Sequence, residues 1–508
     1  MTLAPRSLHA LAGLVAGLAG IAVSHALTML LTIRATPLLA VAEAIIEITP
    51  GPVAESLIQA VGQYDKPLLI IGVTLGVLAL SAWAGALTQR GQGLAIAVFV
   101  AMGVVGAAAV WTRPEANLYD VVPVVAGTVT WIVVLSLIVD RLTKHHLHEE
   151  GKADPDWARR KFLVEAGVVG AAALLVGVAG QFVGASRRSV ETARKLLRLP
   201  VSGGVQPRGA DLDLEGLTPW RTPNPRFYRI DTALVVPTVD PTTWRLRVHG
   251  LVERELVLTY QDLLDRELTQ DWVTLCCVSN EVGGDLIGNA WWSGVRVADV
   301  LAEAGVRPEA DAVLQTSDDG WSCGTPIEAL TDDRNALLAI AMNGEPLPVE
   351  HGFPVRMVVP GLYGYVSATK WLVDIEVSRF ADFTAYWTGR GWSAEGPVKT
   401  QSRIDVPRGG ANVPTGQLRV GGVAWAQHTG IERVEYRLDG RAWAEADLGR
   451  VPNVDTWVQW TGTVEVSQGP HTLAVRATDR SGYTQTAART GVVPDGATGW
   501  HTVEFDAG

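Results

Sequence analysis

The chain has 508 residues, too many for one ordinary hydrophobic core, and this length predicts two to four domains. Residues 1–200 carry 16 Lys and Arg against 13 Asp and Glu, a net charge of +3, whereas residues 201–508 carry 26 against 40, a net charge of −14. The acidic second part argues against nucleic acid as a partner. Three cysteines, two of them adjacent, make no disulfide framework, and no CxxC or HExxH spacing supports a zinc site.

The first elements along the chain are predicted membrane spans. Each is an apolar stretch of roughly 20 residues, long enough to cross a hydrocarbon layer of about 30 Å as a helix. They lie at 8–33, 67–87, 93–112, 121–139 and 162–184. We therefore predict a transmembrane helical domain over 1–185 with about five spans. Segment 38–62 contains three glutamates and two prolines, and we interpret it as an interfacial or re-entrant hairpin.

The loops predict the orientation of these spans. Segment 140–161 has six Lys and Arg and loop 113–120 has one, so the former should be cytoplasmic. Everything after the last span is then extracytoplasmic, in a multi-pass protein of the cytoplasmic membrane. ARRKFLVEAG, residues 158–167, resembles a twin-arginine export signal in an internal position. The alternative is that its arginines are ordinary positive-inside anchors.

Three further regions follow the membrane part. Residues 186–225 are polar and rich in Pro and Gly, which predicts a linker. Residues 226–404 alternate β-rich runs such as WRLRVHGLV with helical pieces such as VADVLAEAG, the texture of an α+β domain. Residues 405–508 consist of strands of alternating polarity with regular turns, which predicts a β-sandwich.

TLCCVSNEVGG, residues 274–284, contains the adjacent thiols Cys276 and Cys277. Successive side chains of a strand face opposite ways, so only one of them can face a given site and the other packs in the core. Asn280 and a Gly-Gly pair follow, a polar and tightly turning backbone that lets a ligand approach closely. The alternative is that both thiols are structural, because free cysteine is among the most buried residue types.

A second candidate cluster lies in EHGFPVRMVVPGLYGYVSATKWL, residues 350–372. His351, Arg356 and Lys370 flank a loop rich in Gly and Tyr, whose backbone could cradle a phosphate. The alternative reading is a structural histidine with two surface cations.

Several motifs together resemble the sulfite oxidase family of molybdopterin enzymes, over roughly residues 220–505. They are CVSN, the W-x-G-V-x-x-x-D-V-L pattern in WSGVRVADVL, HGFPVRMVVPGLYGYVSATKWL, an (F/Y)xR motif in PRFYRID, and the terminal β-sandwich. The resemblance implies an α+β domain that binds molybdenum-molybdopterin through a single pterin dithiolene. It also implies a C-terminal immunoglobulin-like domain of the kind that mediates homodimerisation.

The resemblance also assigns the site residues and implies that Cys277, Asn280 and Arg229 are catalytic. The family's metal-ligating cysteine is that of the C-x-x-N pattern, which Cys277 fits with Asn280, whereas Cys276 meets a serine at the asparagine position. Arg229 resembles the arginine of the (F/Y)xR motif, although Asp231 stands where a histidine often follows. The implied cofactor contacts are Arg229, Asp319, His351, Arg356, Gly361, Tyr363, Ser367 and Lys370, with Asp319 also readable as an ordinary turn aspartate.

The implied chemistry is two-electron oxygen-atom transfer at molybdenum. Members that oxidise sulfite place arginines directly after C-x-x-N, whereas this chain has Glu281 and Val282, which should disfavour a small dianion. We therefore expect a small oxo-donating or oxo-accepting substrate such as a sulfoxide or N-oxide. The aromatic and basic residues of AYWTGRGW either line the opening of the site or pack between domains: Tyr386, Trp387, Arg390 and Trp392.

Electrons should come from or go to a separate redox partner, because His25 is the one mid-span histidine and a bis-histidine haem needs two. The spans are therefore expected to anchor the protein in the lipid bilayer. Two other functions compete with this one. The fold could serve a non-catalytic binding or sensor protein, or Cys277 and His351 could act as nucleophile and base of a thiol hydrolase.

Overall fold

The protein is described from a computed structural model that covers residues 6–31, 33, 35–50, 53, 61, 64–113, 116–148 and 185–508. The chain divides into two compact units, Met1–Ser189 and Val190–Gly508. Each unit is built on its own hydrophobic clusters.

The first unit is helical. Its helices are α1 (Arg6–Leu30), α2 (Pro37–Ile48), α3 (Asp65–Leu87), α4 (Gln92–Trp111) and α5 (Val122–His148). Four helical stretches are long and apolar enough to cross a membrane: Arg6–Leu30, Asp65–Leu87, Gln92–Trp111 and Leu118–Asp140. They coincide with the first four predicted spans.

Helix α1 packs closely against its neighbours through glycines. A Cβ on Gly13 would lie 2.8 Å from the Cα of Gly85 in α3, and a Cβ on Gly20 would lie 2.1 Å from the Trp131 ring in α5. The Trp131 indole N–H also donates to the Gly17 carbonyl at 3.1 Å. Small residues that let backbones approach are a common basis of helix association in membranes.

The other membrane predictions are only partly covered by the described residues. The fifth predicted span and the twin-arginine motif lie outside the described residues. In segment 38–62 the structure describes a 12-residue helix, Pro37–Ile48, which is too short to cross a bilayer. On it, the Glu43 carboxylate pairs with Arg113 at 2.8 Å, so this charge is neutralised by a partner.

The second unit contains 19 strands and three complete α-helices, and a fourth helix, α6, begins just before it. The helices are α6 (Ala185–Leu196), α7 (Tyr260–Leu264), α8 (Val297–Ala304) and α9 (Glu328–Thr331). The first ten strands are β1 (Arg245–Gly250), β2 (Leu256–Thr259), β3 (Thr269–Cys276), β4 (Ile287–Arg296), β5 (Ala312–Ser317), β6 (Ser322–Pro326), β7 (Leu337–Met342), β8 (Glu345–Pro346), β9 (Arg356–Val358) and β10 (Leu372–Ser378). The others are β11 (Gln401–Val406), β12 (Asn412–Val413), β13 (Gly416–Trp425), β14 (Ile431–Leu438), β15 (Ala444–Glu445), β16 (Asp447–Leu448), β17 (Val458–Val466), β18 (Gly469–Asp479) and β19 (His501–Ala507).

Strands β1–β10 form two sheets, in agreement with the predicted α+β texture. One has the order β2-β1-β10-β5-β6, and the other has the order β3-β4-β7-β8 with β9 also paired to β7. Strand β1 runs parallel to β10, and the remaining pairs are antiparallel. Strands β3 and β4 pair from Thr269–Gly294 to Cys276–Ile287, so the loop that joins them begins at Cys277.

Strands β11–β19 form two more sheets, ordered β11-β13-β17-β16 and β12-β19-β18-β14-β15. Apolar side chains of both sheets share one core, in which Trp460 of β17 is fully buried beside Val475 of β18. The predicted sheet-rich C-terminal region is therefore present, and its first strand begins at Gln401. We refer to these strands as the C-terminal sheets.

The segment after α6 has little regular structure, as its proline and glycine content indicates. It nevertheless packs against the strands of the second unit rather than extending into solvent. Trp220 is fully buried, and its indole N–H donates to the Trp457 carbonyl at 3.1 Å. The Leu212 amide donates to the Gln459 side chain at 2.6 Å. The composition predicted irregular backbone here, but it did not predict these contacts with residues far along the chain.

Candidate active site

Three segments of the second unit meet around Gly364. They are residues 224–231, the cysteine loop (residues 277–286, between β3 and β4) and residues 350–372. A Cβ on Gly364 would lie 3.8 Å from the Cys276 carbonyl oxygen and 3.9 Å from the Tyr228 hydroxyl. The fold thus brings together the sequence motifs that carried the family resemblance.

The cysteine loop is closed by its own hydrogen bonds. The Cys277 amide donates to the Leu286 carbonyl at 2.9 Å, and the Leu286 amide donates to the Asn280 side-chain oxygen at 2.9 Å. The Asn280 amide donates in turn to the Cys277 carbonyl at 3.1 Å. Asn280, predicted as a catalytic residue, is nearly buried and holds the shape of the loop.

The two adjacent thiols have different surroundings. Cys276 ends β3, is 1% exposed and belongs to the main hydrophobic core, and burial raises its pKa well above the usual range. Cys277 is 8% exposed, and hydrogen bonds from the amide and hydroxyl of the exposed Ser279 oppose the rise in pKa that burial causes. A hydrogen bond from Asn280 likewise opposes the rise in the pKa of Cys276, so the two thiols differ mainly in exposure and in the place of Cys276 in the core. The more exposed Cys277 is therefore the better candidate for a metal ligand.

Arg356 is a buried cation at the start of β9. Its guanidinium donates to the carbonyls of Met357, His351 and Ala368 at 3.4, 3.2 and 3.4 Å. It also lies over the Trp292 ring, 5.1 Å from the centroid. Burial lowers its pKa to about 10, so it remains charged at neutral pH.

His351 lies against an aromatic wall and stays neutral. Its Nε2 is 3.3 Å from the Asn224 carbonyl, and its ring meets the Phe227 ring edge-on at 5.6 Å. Burial, and next the nearby Arg356 and Lys370, lower its pKa to about 3. A neutral histidine at this position is a hydrogen-bonding group and not a third cation.

Lys370 and Arg229 share one buried carboxylate. Asp231 accepts from the Lys370 ammonium at 2.8 Å and from the Arg229 guanidinium at 2.9 Å. Burial lowers the pKa of Lys370 to about 8, although Asp231 opposes the change. Arg229 is about two-fifths exposed, whereas Asp231 is 4% exposed. The residue that departs from the family motif is therefore the one that joins the two cations.

The other predicted cofactor residues have structural roles in this arrangement. The Ser367 hydroxyl donates to the Tyr363 carbonyl at 2.9 Å, which shapes the turn around Gly364. The Tyr363 hydroxyl accepts a hydrogen bond from the Lys399 amide. Gly361 faces His428, in the loop that follows β13, and a Cβ on Gly361 would lie 2.7 Å from the His428 Cβ. Asp319 accepts from the Trp321 amide at 3.2 Å, as an ordinary turn aspartate does.

The AYWTGRGW segment is partly packed. Trp387 and Trp392 lie against the main core with their centroids 6.1 Å apart, and Arg390 stacks on the Tyr386 ring at 3.7 Å. Packing thus accounts for the two tryptophans.

Sequence reasoning missed Tyr228, Phe227 and Trp292 as members of the site. Tyr228 is half-buried and stacks on Phe227 at 5.2 Å. Burial raises the pKa of Tyr228 well above its usual range, and the Cys277 and Cys276 thiols add to the rise while Arg356 opposes it. Tyr228 therefore lies close enough to both thiols and to Arg356 for each of them to affect its pKa. Its position inside the (F/Y)xR motif was the available signal.

These residues fit an anionic cofactor that carries a metal with a preference for thiolate ligands. Arg356 and Lys370 are buried cations that retain N–H donors beyond the hydrogen bonds they make here. Gly364 leaves open the space that a side chain would occupy between the cysteine loop and Tyr228. The Cys277 thiol lies near Tyr228, whose pKa it affects.

Comparisons with known proteins agree with this fit. A family model described as an oxidoreductase molybdopterin binding domain matches residues 233–387. The chain is 34% identical over 270 residues to mitochondrial sulfite oxidase of Mus musculus, covering 45% of this chain and 49% of that one. It is 32% identical to sulfite oxidase of Gallus gallus, covering 51% and 67%. It is 36% identical to the uncharacterized oxidoreductase YuiH of Bacillus subtilis, covering 31% and 76%.

The chain spans about half the length of the mouse protein, and the match lies in the second unit. The family-model match contains the cysteine loop and residues 350–372, whereas residues 224–231 lie just before it. The chain belongs to the sulfite oxidase family of oxidoreductases, whose cofactor is molybdenum-molybdopterin.

Proposed function

We propose that this protein is a membrane-anchored, extracytoplasmic oxidoreductase that transfers an oxygen atom in a two-electron reaction, with Cys277 as the protein ligand of molybdenum. The observation that carries the proposal is the position of Cys277 on a closed loop close to Tyr228, whose pKa Arg356 also affects. The contrast between Cys277 and the core residue Cys276 supports the choice of thiol.

Different residues of the chain would bind the cofactor and the substrate. Arg356 and Lys370 would hold the pterin and its phosphate as charged donors, and neutral His351 would add a hydrogen bond. Bound molybdenum-molybdopterin supplies the redox chemistry. Tyr228 keeps its hydroxyl proton at neutral pH and can donate a hydrogen bond to the substrate oxygen.

We propose a neutral sulfoxide or N-oxide as the substrate class. Glu281 is exposed on the cysteine loop, and a carboxylate there repels a small dianion such as sulfite. Tyr228 offers a neutral donor in a half-buried setting, which suits a polar but uncharged oxygen.

The location and the partners are also proposals. Four apolar helices of sufficient length support anchoring in the bilayer, and the basic segment 140–161 supports an extracytoplasmic second unit. Electrons would be exchanged with a separate redox protein. The predicted immunoglobulin-like character of the C-terminal sheets supports a homodimer.

The structure weakens the thiol hydrolase alternative. His351 directs Nε2 to the Asn224 carbonyl, and its pKa of about 3 makes it a poor base. Within residues 185–508 no hydrogen bond joins His351 to Cys277. The sensor alternative has no observation in its favour, since the thiol and both buried cations are in place.

Metal analysis of the full chain tests the proposal. The protein, purified in detergent from a cofactor-competent host, should hold about one molybdenum per chain. Cys277→Ser should lose turnover of a sulfoxide with a reduced dye by more than about 100-fold, because the metal loses its thiolate. Cys276→Ser is the matched control and should retain turnover. A metal-free wild-type chain, or the reverse order of the two variants, would contradict the proposal.

A further inference from the structure

Arg403 connects the C-terminal sheets to the cysteine loop. It lies on β11, its side chain is 8% exposed, and its guanidinium donates to the Gly284 carbonyl at 2.9 Å. The same group donates to Asp405 at 2.7 Å and to the Thr218 hydroxyl at 2.9 Å. This buried charge is therefore paired and hydrogen-bonded on three sides, which fixes its geometry.

A second contact from the C-terminal sheets lies one residue away. Gly283 has φ +84°, and a Cβ there would be 2.3 Å from the His501 ring. His501 begins β19, and its Nδ1 accepts from the Ile404 amide at 2.9 Å. The ring is thus tied to β11 next to Arg403 and lies directly against the backbone of the cysteine loop.

Both contacts add to the loop's own hydrogen bonds at its tip. Asn280 and Leu286 close the loop at its base, whereas Gly283 and Gly284 lie near its tip. The Gly284 amide donates to the Glu281 carbonyl, so a shift of Gly284 moves the turn that follows C-x-x-N. Ser279, which hydrogen-bonds the Cys277 sulfur, belongs to the same short stretch.

We propose that Arg403 and His501 are positioning residues that fix the Cys277 sulfur by holding Gly283 and Gly284 from the C-terminal sheets. The inference rests on the proposed function in one respect, since it takes Cys277 to be the metal ligand. On this basis the C-terminal sheets are part of the redox site and not only a surface for association.

Thiol reactivity tests the inference without the cofactor. The full chain is produced in a host that makes no molybdopterin, in a Cys276→Ser background, and the rate of Cys277 modification by a soluble maleimide is measured. Cys323 is fully buried with its pKa raised to about 12 by burial, so it should stay unreacted. Arg403→Gln should raise the rate more than about fivefold, because the loop tip is released.

Arg419→Gln is the matched control. Arg419 lies on β13 of the same sheets and also donates to a backbone carbonyl, that of Asp213, far from the cysteine loop in sequence. It should leave the rate unchanged. Arg403→Lys, which can still reach the Gly284 carbonyl, should restore most of the protection. If Arg403→Gln fails to fold, His501→Ala provides the same comparison.

A spectroscopic readout completes the test in the loaded enzyme. Arg403→Gln should shift or broaden the Mo(V) paramagnetic resonance signal, whereas Arg419→Gln should not, because only the former changes the sulfur geometry. Equal maleimide rates in the Arg403 and Arg419 variants would overturn the inference even if wild-type protein binds molybdenum. A metal-free wild type with the expected labelling pattern would overturn the proposed function and leave the loop support standing.

Discussion

The segment 350–372 and the cysteine loop are held in different ways. Arg356 donates to carbonyls 5 and 12 residues away and is fixed by its own segment, whereas Lys370 donates both to a carbonyl 20 residues away and to Asp231, 139 residues away. The cysteine loop instead depends on Arg403, 119 residues from Gly284. The difference teaches that the Arg356 cation is held by local contacts, whereas the position of the sulfur depends on the assembly of two pairs of sheets.

The strongest test of local encoding is Arg356→Met. Removal of the guanidinium leaves the His351, Met357 and Ala368 carbonyls without a donor, and this should lower the free energy of unfolding by about 3 kcal/mol. Bound molybdopterin should fall by more than about tenfold because a phosphate partner is lost. Urea unfolding and pterin fluorescence after release measure the two effects. Arg379→Met, at an exposed ion pair, is the control and should change neither.

A second test uses the pH dependence of stability. The pKa of Lys370 is lowered to about 8 by burial, so the unfolded chain binds its proton more tightly than the folded chain. The free energy of unfolding contributed by this group is therefore lost as pH falls through about 8. It is fully present above the lysine pKa of about 10.4 in the unfolded chain, and the difference is roughly 3 kcal/mol.

Lys370→Met should remove that dependence. Urea midpoints of the cofactor-free chain, measured from pH 7.5 to 10.5, should rise less steeply in the variant than in wild type. Parallel curves for the two proteins would show that Lys370 has an ordinary pKa in the folded state.

Gly283→Ala tests the close contact between the C-terminal sheets and the cysteine loop. The new Cβ meets both an unfavourable φ and the His501 ring, and the free energy of unfolding should fall by about 2 kcal/mol. Gly391→Ala is a matched control, because Gly391 has φ +93° with open space around it. Its cost should be about 1 kcal/mol, from backbone strain alone. Equal costs would argue that His501 does not press on the loop.

The smallest expected effect is that of Tyr228→Phe. The ring keeps its contact with Phe227, so stability should change by less than about 0.5 kcal/mol. Turnover of a sulfoxide should fall about tenfold with little change in KM, because the donated hydrogen bond matters most as charge develops on the oxygen. Unchanged turnover would remove Tyr228 from the site.

The sequence predicted those features that depend on neighbouring residues. Four apolar stretches correspond to candidate spans, and the strands of the C-terminal sheets follow alternation of polarity, whereas the choice of Cys277 over Cys276 from the C-x-x-N spacing stays a prediction. Asp231 was noticed as a departure, but its bridging of Lys370 and Arg229 needs the fold. Arg403, His501 and the buried Trp220 could not be found, because nothing in local periodicity records a partner more than 100 residues away.

The role of Asn280 in shaping the loop affects how the substrate preference of such a site can change. Its side-chain oxygen accepts from the Leu286 amide, and the Glu281 carbonyl accepts from the Gly284 amide, so the loop is shaped by backbone groups and one amide. Among the described residues, the Glu281 side chain makes no hydrogen bond or ion pair. Its identity is therefore free to drift without disturbing the thiol beside it. A single scaffold can acquire new substrate preferences at this position while the metal ligand stays in place.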